Sequence, residues 1–254
     1  MGSVADDLRR ETRDTVLRMS VAERFDWAFR LGEEDLQILQ VSLGLDRDAA
    51  IRHIRRPAGP AAERLHGRPS RVNPLGEVTA ILDAQGIGYA LIGAAAMAVH
   101  GVTRSTLDVD LLAAEQRCLT PSIWDRLAQG DIEVDVRRGD RDDPLAGVVH
   151  FSQPDTRPID LVVGRFLWQQ RAIARARPTQ IGEQTLPAVL RSDLVLLKLY
   201  AGGPQDMWDI HQLLVCDDRE TLETMMLEIE RDLPDLPDTS ADRWRQLRTE
   251  LHRR

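Results

Sequence analysis

The sequence predicts an α/β (α+β) chain: a mixed sheet flanked by helices, with N-terminal and C-terminal helical extensions. Three observations carry that reading. Tyr89 to Leu112, YALIGAAAMAVHGVTRSTLDVDLL, reads as strand, tight turn, helix, loop and strand. Asp131 to Val136, Leu145 to Phe151 and Pro158 to Val163 read as further strands, the last two as a hairpin. Helix-start signals lie on both sides of this region. A chain of 254 residues can bury a sizeable core. The expected divisions are a helical extension and linker at 1–72, a core at 73–186 and a helical region at 187–254.

In chain order, Ser20 and Glu23 form a capping box ahead of Val21, Phe25, Ala28, Phe29 and Leu31, an apolar face at helical spacing. Leu36, Leu39, Leu43 and Leu45 mark another short helix, and Asp46 caps one from Arg47 to Arg56. Three helices in succession fit a helix-turn-helix, but nothing marks a recognition helix. Pro57 to Arg71 is a linker rich in Pro, Gly and Arg. Asn73 with Pro74 opens a helix towards Gly86, and Thr120 with Pro121 opens another to about Gln129. Gly164 to Ala176 reads as helix and Thr179 to Leu186 as short strands. Ser192 then caps an apolar helix ended by Gly202-Gly203-Pro204. Helices follow from Pro204, on to about Glu230, and from Ser240 to Arg254.

The formal net charge of −8 argues against a general nucleic-acid coat. It is unevenly spread: Arg52, His53, Arg55, Arg56, Arg64, His66, Arg68 and Arg71 form a basic cluster, read either as a phosphate-meeting surface or as a solvated linker. Cys118 and Cys216 fit no metal or redox spacing, which points to a reducing compartment. No export signal is visible, and the longest nearly apolar run, Ile87 to Val99, falls short of the ~20 residues a membrane helix needs. The expectation is a cytoplasmic protein with no membrane partner.

The chemistry concentrates in the central stretch. Side chains alternate along a strand, so Leu107, Val109 and Leu111 enter a core while Asp108 and Asp110 share the other face, as a pair of metal ligands would. Gly93 allows a sharp turn and close approach, and the helix from Ala94 to His100 starts there with unpaired N–H groups suited to phosphate, Gly101 being its stop. Asp160, alone among Ile159, Leu161 and Val163, is the candidate third carboxylate. Asp131, Glu133 and Asp135 also share a strand face, but without a glycine turn they read as the wet side of an edge strand. The chain has 32 Arg and a single Lys, Lys198, on an inward-facing helix surface where a compact ammonium would meet an anion. Arg104 and Thr106, in the loop before the Asp pair, are candidate phosphate contacts, and Arg104 a candidate contact to an RNA end. His100 reads as a packed or capping histidine.

Gly93 through Leu112 resembles the first motif of the nucleotidyltransferase fold, the polymerase-β-like superfamily, in which a glycine turn and helix precede Asp-x-Asp on the next strand. Leu196-Leu197-Lys198-Leu199 with Gly202-Gly203, followed by Asp206-x-x-Asp209, is similar to the Lys and DxxD motifs of AbiEii-type nucleotidyltransferases, often the toxin half of a toxin–antitoxin pair. The resemblance covers about residues 74–216. It implies a nucleotidyltransferase-like mixed sheet, metal binding by Asp108 and Asp110, and active-site roles for Lys198 and Asp209. Two positions depart from the pattern. Ala94 follows Gly93 where Ser or Gly is usual, removing a hydroxyl, and Gln205 stands where Thr or Arg often follows the Lys motif.

The expected catalytic set is therefore Asp108, Asp110, Asp160, Lys198 and Asp209, with Asp108, Asp110 and Asp160 holding Mg²⁺ or Mn²⁺. Gly93, Ala94, Arg104, Thr106 and Lys198 are the expected nucleotide contacts. The expected reaction moves a nucleoside monophosphate from a nucleoside triphosphate (NTP) to a hydroxyl. RNA such as a tRNA 3′ end is the first acceptor, docked on the Arg52–Arg71 segment, with a cognate antitoxin as protein partner. A protein hydroxyl and a small molecule such as an aminoglycoside come next. The readings from other classes are a catalytically weak relative acting as an antitoxin or binding partner, and a DNA-binding regulator.

Overall fold

The computed structural model describes residues 12–54, 73–154, 156–181, 183–215 and 218–251. Strands β1 (Tyr89–Leu91), β2 (Val109–Ala113), β3 (Glu133–Arg138), β4 (Gly147–Ser152), β5 (Ile159–Val163), β6 (Arg177–Ile181) and β7 (Gln184–Ala188) form one mixed sheet in the order β3-β4-β5-β2-β1-β7-β6. β2 pairs in parallel with β5, and β1 with β7; the other neighbours are antiparallel. The expected hairpin is β4–β5, and the acidic strand β3 lies at the sheet edge.

Among the described residues the helices are α1 (12–18), α2 (Val21–Leu43), α3 (Arg47–Ile54), α4 (Pro74–Ala84), α5 (Gly93–Val99), α6 (Asp125–Ala128), α7 (Leu167–Arg175), α8 (Arg191–Ala201), α9 (Pro204–Leu213), α10 (Arg219–Asp232) and α11 (Asp238–Leu251). Leu91, Leu111, Leu112, Val149, Phe151, Leu161 and Val163 fill the sheet's share of the core.

α2 carries its capping box as read: the Glu23 N–H donates to Ser20 Oγ at 3.2 Å and the Ser20 N–H to Glu23 Oε2 at 2.7 Å. It does not break after Leu31. The expected second helix is its continuation, because Gly32 is buried against the chain before β2 and does not end the helix. A Cβ there would stand 2.2 Å from the Thr106 carbonyl oxygen. Phe25, Ala28, Phe29, Gly32 and Leu36 form the buried face. Arg24 donates to the Ala98 and Val99 carbonyls at the end of α5, and the Thr106 N–H to the Ala28 carbonyl. These contacts join the N-terminal helices to the loop carrying Arg104 and Asp108.

Asp46 caps α3 through the Ala49 N–H at 2.7 Å, and Asn73 caps α4 through the Leu75 N–H at 3.2 Å. The helix expected from Thr120 is a 3₁₀ turn, Pro121–Trp124, leading into α6. Ser192 is not a cap. The Leu190 carbonyl already accepts the first helical bond, from the Leu194 N–H at 2.9 Å, and Ser192 is buried inside α8. Pro57 to Arg71, nearly all of the Arg52–Arg71 cluster's side chains, and Cys216 lie outside the described residues. No helix among the described residues is long and apolar enough to cross a membrane.

Candidate metal and nucleotide site

β1 stops at Leu91, Ile92 is extended, and Gly93 turns the chain into α5 with φ of +64°. The position requires glycine for a second reason: a Cβ would lie 2.0 Å from Asp110 Oδ2. The turn thus gives room to the Asp110 carboxylate.

Asp110 and Asp160 are register partners across the parallel β2–β5 pair, so both carboxylates stand on one face. Asp108 precedes β2, and its carboxylate accepts from the Thr106 hydroxyl at 2.9 Å; the same hydroxyl lies 3.2 Å from the Asp108 carbonyl oxygen. One ligand oxygen from each of Asp108, Asp110 and Asp160 falls within 4.8 Å of the others, the one such acidic group among the described residues. Burial, then the charges of Asp108 and Asp160, push the Asp110 carboxyl up to about 7, with Arg104 and Lys198 opposing. An all-oxygen set of this kind fits a hard divalent cation such as Mg²⁺ or Mn²⁺.

Beside it lies a second charged group. Lys198, 5% exposed, donates from Nζ to Asp209 Oδ2 at 2.5 Å and to Asp206 Oδ1 at 3.2 Å. Arg104 Nε is 3.3 Å from the same Asp209 oxygen, and the Gln205 amide reaches the other at 3.4 Å. Asp206 also accepts from the Gly203 N–H at 3.0 Å, which fixes the start of α9. Asp209 is fully buried and anchors Lys198 and Arg104 from outside the three-carboxylate group.

Of the remaining sequence candidates, Ala94 is buried, and Gly93 borders the Asp110 carboxylate. His100 Nε2 donates to the Val189 carbonyl at 2.8 Å, and burial depresses its pKa to about 4, which leaves a neutral packed ring. Asp135 pairs with Arg137 Nε at 2.7 Å on the edge strand.

A cleft of about 490 Å³ runs between α2 and the loop, lined by Gly32, Asp35, Ile38, Leu39 and residues 104–108. Arg104 also borders a second cleft with Pro204, Gln205 and the half-exposed Trp208.

Sequence reasoning missed His150, whose Nδ1 lies 2.5 Å from Asp160 Oδ1. Its signal was its place on the polar side of the alternating strand Gly147–Ser152. Gly32 and Arg24, which hold the site's loop and helix, were missed too; their partners are distant in sequence.

No protein-family model matches the chain, and no curated protein matches it. Among solved structures it is similar to the antibiotic-resistance factor ANT(2'')-Ia, with a TM-score of 0.42 and 15% identity over 70% of this chain and 94% of that one. It is also similar to an antigenic nucleotidyltransferase-like protein from Paracoccidioides brasiliensis (TM-score 0.38, 20% identity, 66% and 90% covered). A third is the lincosamide antibiotic adenylyltransferase LnuA (TM-score 0.36, 13% identity, 55% and 93% covered). Identities this low give no residue-by-residue correspondence.

Proposed function

We propose that this protein is a metal-dependent nucleotidyltransferase that moves a nucleoside monophosphate from an NTP to a hydroxyl. The observation that carries this is the convergence of Asp108, Asp110 and Asp160 within 4.8 Å beside the Gly93 turn. Held by those three residues, Mg²⁺ or Mn²⁺ would supply charge stabilisation at the phosphoryl group being transferred. Gly93 lets a phosphate approach the backbone. Lys198 and Arg104 supply positive charge next to the carboxylates, Asp209 orients both, and Thr106 orients Asp108. The acceptor oxygen forms a bond to the α-phosphorus as the bond to the bridging oxygen breaks. Pyrophosphate leaves, and the hydroxyl proton passes to a carboxylate of the cluster. Fixed placement and fixed charge do most of the work.

The AbiEii-like Lys and DxxD motifs support an RNA acceptor, such as a tRNA 3′ end, and a toxin role with a cognate antitoxin. The cleft along α2 favours a second reading. Its volume suits a small molecule, and Asp35 on its wall suits a cationic one such as an aminoglycoside.

The test is to incubate the protein with Mg²⁺ and each α-labelled NTP in turn, with total RNA or an aminoglycoside panel, beside an Asp108→Asn control. Label moving to RNA with the unmutated protein alone supports the first reading. Label on an aminoglycoside supports the second. Label on the protein itself keeps the transfer chemistry and changes the acceptor; no label on anything, with any nucleotide, contradicts both readings and moves the binding-partner reading ahead.

A further inference from the structure

The sheet register places four polar side chains in one transverse row. Asp135 of β3 faces His150 of β4, His150 faces Asp160 of β5, and Asp160 faces Asp110 of β2. Along β4, Val149 and Phe151 are fully buried, so alternation delivers His150 to the carboxylate face. There its Nδ1 meets Asp160 Oδ1 at 2.5 Å, with both side chains about three-quarters buried. On its other flank the Asp135 carboxylate already accepts from Arg137.

We infer that His150 is a positioning residue of the metal centre: its Nδ1–H occupies one oxygen of Asp160 and turns the other towards Asp108 and Asp110. The inference rests on the metal-dependent reading above. A carboxylate free to rotate presents either oxygen, and a fixed hydrogen bond from behind removes that freedom before the cation arrives. Outer partners of this kind are worth about 10–100-fold in metal affinity. The ring lies outside the three-carboxylate group, which separates this role from that of a fourth ligand.

The test reads metal binding without turnover. The full chain is titrated with Mn²⁺ and free Mn²⁺ is followed by electron paramagnetic resonance, alongside thermal melts. His150→Phe is expected to bind Mn²⁺ about 10–100-fold more weakly. His150→Asn places an amide N–H where Nδ1–H stood, and is expected to stay close to the unmutated protein. Asp135→Asn is expected to match it. If His150→Phe melts early, His150→Ala in the same assay provides the contrast. Binding that is lost in Asp110→Asn but intact in His150→Phe overturns the positioning role and leaves the metal site standing. Equal losses in His150→Phe and His150→Asn overturn it too, since the ring and not its N–H would then matter. An unmutated protein that binds no Mn²⁺ overturns both this inference and the metal reading.

Discussion

Asp110 is pulled in two directions. Burial and the neighbouring Asp108 and Asp160 charges favour its neutral form, while the Gly93 turn keeps its carboxylate open to the site. Its ordinary value is 3.8 and its folded value about 7, so between those limits the folded state holds a proton that the unfolded chain has lost. Stability contributed by this group is full below its ordinary value and falls as pH rises through about 7. The metal-free protein is therefore expected to melt at progressively lower temperature from about pH 4 to 7, with Asp110→Asn flattening that slope and added Mn²⁺ opposing it. An Asp110→Asn protein with an unchanged slope would contradict the assignment. In a transfer assay, Asp108→Asn and Asp110→Asn should each lose on the order of 10²–10³-fold or more in rate with their melts retained, while Asp135→Asn loses little. Equal losses at Asp135 and Asp108 would contradict the placement of the metal between β2 and β5.

At the scale of elements, the site depends on two junctions. α2 lies against the loop before β2 at Gly32, where a methyl group has no room beside the Thr106 carbonyl. Gly32→Ala should cost about 1–3 kcal/mol through overpacking and speed hydrogen exchange in residues 102–108. A melt and an exchange pattern identical to the unmutated protein would show that the loop does not depend on α2. The second junction is α8 with α9, joined through Lys198 and Asp209. Asp209→Asn strands a buried ammonium that keeps only Asp206, and should cost about 3 kcal/mol, or about 6–12 °C of melting temperature. A fall of a degree or less would mean that the pair contributes little to the fold.

At the scale of the whole molecule, what was legible in the sequence was what repeats along the chain. Strand alternation pointed to Asp110, with Asp108 two residues before it and just outside β2, and a lone acid among Ile159, Leu161 and Val163 pointed to Asp160. Caps at Ser20, Asp46 and Asn73 were readable because capping is local. What was not legible depends on register and on distance. His150 gains its partner only when β4 pairs with β5, and Gly32 meets the Thr106 carbonyl only once the chain before β2 lies over α2. The burial of Phe25, Phe29 and Leu36 also ties α2 to the core. Three such side chains contribute about 1.5–3 kcal/mol each. A chain beginning at residue 73 should accordingly melt without a cooperative transition, and a sharp one would show the remainder to be self-sufficient.

Everything proposed for the site depends on Asp108, Asp110 and Asp160 holding a divalent cation against a nucleotide. The most direct measurement is a crystal structure with Mn²⁺ and a non-hydrolysable NTP analogue, using anomalous scattering to locate the metal. The account predicts metal density between the three carboxylates, with the triphosphate at the Gly93 turn. Metal bound elsewhere, or a nucleotide seated away from that turn, would contradict it.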